Sequence, residues 1–216
     1  MALRGRLDPC PRSQAGYERA RTRLATELGA WLEASGRGDV DPGSGEELLH
    51  YKWGYLDGHL TRWRRADLDA VLCELFPAKV IVEEEDLGEV IPEAKAFISF
   101  LAETGYLDPA GDDPAVLLRH LDRIASRFRR RMTDPRRYSA AKRMWLAMGA
   151  EGIGPDDEEE AARVWIEHFN ARPTAERSAL LGLSSSAAPI VAVGRSRSTS
   201  PRQSGSRRSS PTRRHR

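Results

Sequence analysis

The sequence predicts an all-α protein, roughly an eight-helix orthogonal bundle, followed by a disordered Arg/Ser-rich C-terminal tail. Three observations carry that expectation. Apolar residues recur at three- and four-residue steps along most of the first 183 positions. Glycines, prolines and Asp-Pro pairs fall between the periodic runs, where helices stop and start. Charge then divides the chain: Gly194 to Arg216 holds eight arginines, seven serines, two prolines and no carboxylate side chain. Without those eight arginines the chain has 26 basic against 32 acidic side chains, so a body near −6 carries a tail near +8. Such a tail cannot bury enough apolar surface to offset its ordering entropy. It is expected to stay disordered, open to an anionic partner or to the body's own acidic surface. The expected organisation is an N-terminal helix and linker over 1–40, a helical body over 41–183 and a basic tail over 184–216.

The elements follow in order. Tyr17, Leu24, Leu28, Trp31 and Leu32 make one stripe on a helix from about Arg12 to Ala34, and Gly36 to Gly45 is a linker. Ser44 and Glu47 have capping-box spacing and open a helix with Leu49, Trp53 and Leu56 on one side, ended by Gly58. Leu68, Val71, Leu72 and Leu75 mark a further helix that Pro77 is expected to stop. Lys79 to Val82 is a brief β-branched run, a short strand or an extended connector. The acids Glu83 to Asp86 suit a helix N-terminus, Pro92 a first turn, and Phe97, Ile98 and Leu101 lead to a stop at Gly105. Asp113-Pro114 caps the clearest helix of the chain, with Leu117, Leu121, Ile124, Phe128 and Met132 on one face. Asp134-Pro135 ends it and starts another, with Tyr138, Ala141, Trp145 and Met148 inward and Gly149 as its stop. Acids 156–160 precede Ala162, Trp165 and Phe169, and a last short helix spans 174–181.

Several functions are disfavoured. Cys10 and Cys73 are far apart and lack spaced partners, which suits a reducing compartment and offers no disulfide framework or metal cluster. Met1 to Asp8 has no apolar run of signal-peptide type, and the longest apolar stretch, Ala187 to Val193, is too short for a membrane span. A soluble, cytoplasmic protein without membrane contact is expected. No phosphate loop, paired-histidine zinc motif, dinucleotide fingerprint or serine elbow is present in the sequence. The five histidines are scattered. No catalytic residue, metal or cofactor is therefore assigned.

Two segments hold the chemistry that remains. Between Tyr51 and Trp63 the chain places two tryptophans, two tyrosines, two glycines, an aspartate, a lysine and a histidine. Tyr51, Lys52, Trp53, Asp57 and His59 could line a pocket that binds or protonates a ligand. The plainer alternative is an aromatic junction between helices, because each ring buries a large area. Gly54 and Gly58, four apart, would let another helix approach closely. In the second segment Arg119, Arg123, Arg127 and Arg130 step by four, four and three residues, opposite an apolar face. Guanidinium groups so arranged match a polyanion backbone. The alternative is a solvated face paired with body carboxylates such as Glu83 to Glu85 or 156–160. In the tail, Arg195, Arg197, Arg202, Arg207, Arg208, Arg213, Arg214 and Arg216 have no local acid to compete with phosphate.

ELLHYKWGYLDGHLTRW (Glu47 to Trp63), LFPAKV (Leu75 to Val80), FISFLAETGYLD (Phe97 to Asp108), MTDPRRYSAAKRMWLAMGA (Met132 to Ala150) and EHFNARP (Glu167 to Pro173) share a further property. Together they make the body resemble a group of uncharacterised helical proteins common in actinobacteria. The resemblance spans roughly Gly45 to Leu183, implies an all-helical fold and transfers no activity. Some members carry a zinc motif of the SEC-C type, beginning Asp-Pro-Cys-Pro-Cys-Gly-Ser-Gly. Asp8-Pro9-Cys10-Pro11 is similar to its first four residues, but Arg12 stands in place of the second cysteine. No closing cysteine and histidine follow, and one thiolate cannot hold a structural zinc.

The tail lies outside that resemblance and looks like the low-complexity tails of RNA-binding proteins, with Ser200-Pro201 and Ser210-Pro211 as phosphorylation candidates. Thirty of the 34 basic residues are arginine, so compositional drift in a GC-rich gene accounts for it equally well. Two functions are carried forward. One is a non-enzymatic interaction module that contacts a protein through its aromatic region, or nucleic acid weakly through its tail. The other is a small-molecule binder or enzyme with a pocket at 51–63. Oligomeric state is not legible.

Overall fold

The computed structural model describes residues 7–153 and 159–182. The acids at 156–158 and the basic tail, with the expectations placed on them, lie outside those residues. Among the described residues there is no strand, and the protein is all-α. In chain order α1 is Gln14–Ala34, α2 Gly43–Tyr55, α3 Arg65–Ala70, α4 Phe76–Lys79, α5 Val90–Glu103, α6 Pro114–Met132, α7 Ala140–Ala150, α8 Glu159–Ala171 and α9 Thr174–Leu180. A π-helical turn, Val71–Leu75, joins α3 to α4 without a break, so the described residues form eight helical rods. None is long and apolar enough to cross a membrane.

The apolar stripes of α1 to α6 meet in one core. Leu24, Leu28 and Leu32 of α1, Leu48 and Leu49 of α2, Phe97 and Leu101 of α5, and Leu121 and Phe128 of α6 are all buried in it. Each such side chain contributes about 1.5–3 kcal/mol by leaving water. Gly45 lets α2 cross closely: a Cβ there would stand 2.8 Å from Leu28 Cδ2 and 3.1 Å from Phe97 Cδ2. A second, smaller cluster of Met148, Trp165 and Phe169 holds α7 to α8.

Caps explain where several rods begin. Ser13 accepts from the Gly16 amide at 3.2 Å and Asp113 from the Ala115 amide at 2.8 Å, each satisfying an orphan donor of a first turn. Pro114 follows Asp113 as expected, and α6 buries Leu117, Leu121, Ile124, Phe128 and Met132 together with His120.

Local expectations fail where a distant partner intervenes. Ser44 is no cap: α2 begins at Gly43, and the Ser44 hydroxyl donates to Glu93 of α5 instead. Gly54 is not a crossing point, since a Cβ there would meet nothing within 4 Å. Of the run Lys79 to Val82, Lys79 ends α4 and Val80 to Val82 form a connector, not a strand. Pro77 does not stop its helix but sits inside α4, just after the π turn. Proline lacks the amide hydrogen that would reach the carbonyl four residues back, and its ring crowds that carbonyl. The wider π turn carries the Phe76 amide back to Val71 O, and Arg131 of α6 donates to Cys73 O at 2.8 Å. In α7 the inward face is also displaced: Lys142 and Met148 are buried, whereas Ala141 is exposed and Trp145 keeps 44% of its surface. That helix runs past Gly149 to Ala150.

Candidate functional site

The segment from Tyr51 to Trp63 is the end of α2 and the turn into α3, strapped by the N-terminal chain. Leu60 N donates to Pro9 O at 2.8 Å, and Trp53 Nε1 donates to Pro11 O at 3.0 Å. Asp8 to Pro11 thus acts as a clamp on this turn, with Cys10 a free, exposed thiol. Among the described residues no group of three or more His, Cys, Asp or Glu is placed to hold a metal ion. Trp53 stacks on Tyr17 of α1, with ring centroids 4.4 Å apart and planes 9° from parallel. Trp63 lies fully buried, edge-on to Phe97 at 5.9 Å, its indole N–H bonded to Leu60 O at 2.9 Å. Tyr51 packs on Phe76, and burial pushes its hydroxyl up to about 12. Of the four rings here only Tyr55 is largely exposed, at 49%.

Most polar groups of the segment are engaged, although His59 Nδ1 and Arg62 Nε are buried with no hydrogen-bond partner among the described residues. Lys52 is wholly buried; its Nζ donates to Asp67 Oδ2 at 2.6 Å, lies 3.0 Å from Asp57 Oδ1 and stands 5.2 Å from the Trp63 ring centroid. Asp67 Oδ2 also accepts the Arg64 amide at 2.9 Å at the start of α3. Arg62 donates to Asp57 Oδ2 at 3.0 Å. His59 Nε2 approaches Asp108 at 3.4 Å, and His59 lines a shallow cleft of about 350 Å³ with Pro9, Thr61, Tyr106 and Pro109. His59 therefore faces away from the Lys52 cluster. Two aspartates thus surround one buried ammonium and hold it between α2, the turn after it and α3.

Burial pushes the Asp57 carboxyl up. The His59 amide, Arg62 and Lys52 outweigh that and hold it at about 2, against an ordinary 3.8. A carboxyl depressed by folding stabilises the native state fully above its unfolded value and loses that contribution as pH falls through the folded value. Between pH 3.8 and about 2 the wild type is therefore expected to lose stability more steeply than Asp57→Asn. Urea midpoints measured in steps across that window check this. Parallel curves for the two proteins would show that Asp57 is not held by these partners.

The α6 arginines divide into two sets. Arg127 pairs with Asp69, which also faces His120 Nε2 at 3.1 Å. Arg131 reaches Cys73 O and Glu74, and Arg137 meets Glu74 at 3.4 Å. These pairs tie α6 and the turn after it to α3 and the π turn, and burial pushes the Cys73 thiol up. The carboxylates involved are Asp69 and Glu74, not Glu83 to Glu85. Arg119, Arg123 and Arg130 are exposed and make no hydrogen bond or ion pair among the described residues. They stand within about 40° of one another round the helix and span about 16 Å of it. The eight tail arginines lie outside the described residues.

One residue escaped the sequence reading. Lys142 of α7 is buried, and its only hydrogen-bond acceptor among the described residues is Pro77 O, 3.1 Å away. Its signal was the four-residue step Tyr138, Lys142, Leu146, which competes with the apolar stripe through Ala141 and Trp145. Comparison of the chain with protein-family models, curated proteins and solved structures finds no match.

Proposed function

We propose that the protein is a non-catalytic helical binding module whose basic residues engage a polyanion, nucleic acid in particular, weakly and without sequence preference. The observation that carries this is the set of three guanidinium groups, Arg119, Arg123 and Arg130, along one exposed face of α6, with no partner among the described residues. Eight further arginines at 195–216 have no carboxylate in their own segment. The non-catalytic part rests on the 51–63 segment, where Lys52 is held by Asp57 and by Asp67 of α3.

Phosphate binding by arginines releases counterions, so log K should fall with log salt by about 0.7 per contact on single strands. Five or six engaged arginines give a slope of roughly −4. Little discrimination between sequences is expected, because no base-reading element is evident. The test titrates labelled RNA and DNA against the full chain, residues 1–183, and Arg119/Arg123/Arg130→Ala variants of both. Most affinity should leave with the tail, and the remainder with the three α6 arginines. Arg127→Ala should matter little, because Asp69 already holds that side chain. Absence of binding by every form at low salt would overturn the proposal.

A further inference from the structure

The connector after α4 and the first turns of α7 enclose a cleft of about 360 Å³. Its apolar wall includes Ile81, Val82, Met132 and Leu146, of which Ile81 and Leu146 are large hydrophobics left exposed. Lys142 lines the same cleft with Tyr138. The lysine retains 5% of its surface and lies with Nζ 4.1 Å from the centroid of the Tyr138 ring. An ammonium group has three donors, and one reaches Pro77 O. Glu84 is at the cleft, but no carboxylate among the described residues forms an ion pair with Lys142. Folding alone disfavours a cation here twice over. It is taken out of water without a counter-charge, and it occupies the first turn of α7, where the helix dipole repels positive charge. Burial accordingly pulls this amine down to about 8.

We propose that this cleft binds an amphipathic monocarboxylate, an alkyl or aryl acid, with its carboxylate on Lys142 Nζ and its tail along Ile81, Val82, Met132 and Leu146. The volume lies within the range of small-molecule sites, and an apolar wall with a few polar groups is their usual composition; of the two charged side chains at this cleft, Lys142 and Glu84, the lysine is the one that attracts a carboxylate. The ligand supplies the anion that the fold omits. A paired carboxylate favours the charged amine, so binding takes up a proton at a pH above the free amine's value. The site is separate from the arginine face of α6, so its failure and that of polyanion binding are distinguishable.

The test is calorimetric titration of the full chain with octanoate and with octanol at about pH 8.5, in two buffers of different ionisation enthalpy. Wild type, Lys142→Met and Leu146→Glu are compared, with circular dichroism to confirm that each is folded. Lys142→Met removes an uncompensated buried charge and Leu146→Glu changes an exposed position, so both should fold. The expected result is octanoate binding with proton uptake by the wild type, weakened about tenfold or more in either variant. Octanol should bind more weakly than octanoate to the wild type and lose nothing in Lys142→Met. No octanoate binding up to about 10 mM, equal octanoate binding by Lys142→Met, or octanol binding as tight as octanoate would each overturn the proposal.

Discussion

Lys52→Ala is expected to destabilise the protein by roughly 3 kcal/mol, at the lower end of the cost of breaking a buried ion pair. The lysine is wholly buried, and its removal takes the shared cation from two carboxylates, leaving Asp57 to Arg62 and the His59 amide and Asp67 to the Arg64 amide. Those partners keep some water, with 38% of the Asp57 side chain and 19% of Asp67 exposed, which moderates the penalty. The loss also reaches α3, because Asp67 Oδ2 accepts both Lys52 Nζ and the Arg64 amide that opens that helix. Lys52→Met should recover part of the loss by filling the same volume with apolar atoms under the Trp63 ring. Urea denaturation of the three proteins measures this. A cost below about 1 kcal/mol for Lys52→Ala would mean that the junction behaves as a surface pair.

Trp63→Ala is expected to cost about 3–5 kcal/mol, the range for truncating a buried aromatic ring. The ring is fully enclosed, meets Phe97 edge-on and carries the Lys52 ammonium over its face, so neighbours cannot close the void cheaply. Trp63→Phe should cost less, since it retains a ring while leaving Leu60 O without its indole donor. Lys52 and Trp63 touch, so their effects should depart from additivity by about 0.5–3 kcal/mol. Lys52→Ala with Trp63→Phe is the pair in which to measure that coupling. The double alanine variant would lose a large share of the roughly 5–15 kcal/mol that holds a domain folded. Additive losses in the milder pair would show that the ammonium and the ring do not interact.

The helices that were plain in the sequence are those whose evidence is local. In α6, Asp113 caps, Pro114 starts, and five apolar residues at helical spacing declare the buried face, all within one run of the chain. Pro77 reads as a stop for an equally local reason, yet the helix continues. The carbonyl that proline leaves without an amide partner is taken by Arg131, 58 residues later. The arginine stripe was visible as a stripe, but Asp69 of another rod decides that Arg127 is engaged. Arg119, Arg123 and Arg130 meet no such partner among the described residues. The pocket that stood as the alternative to an aromatic junction at 51–63 needed residues facing a common space, and the turn aims Lys52 and Asp57 at each other and His59 at Asp108.

The sequence by itself determined the helical class, the positions of most rods and the division of charge between body and tail. Each of these follows from the 3.6-residue period, from capping bonds that span two or three residues, or from composition. Only the tertiary structure decided which polar side chains are spent and which are free. Lys142 shows why: it is buried beside Pro77, 65 residues away, and no spacing along α7 encodes that neighbour. A buried charge is governed by what lies across the interface between helices, where contacts form between segments distant in the chain.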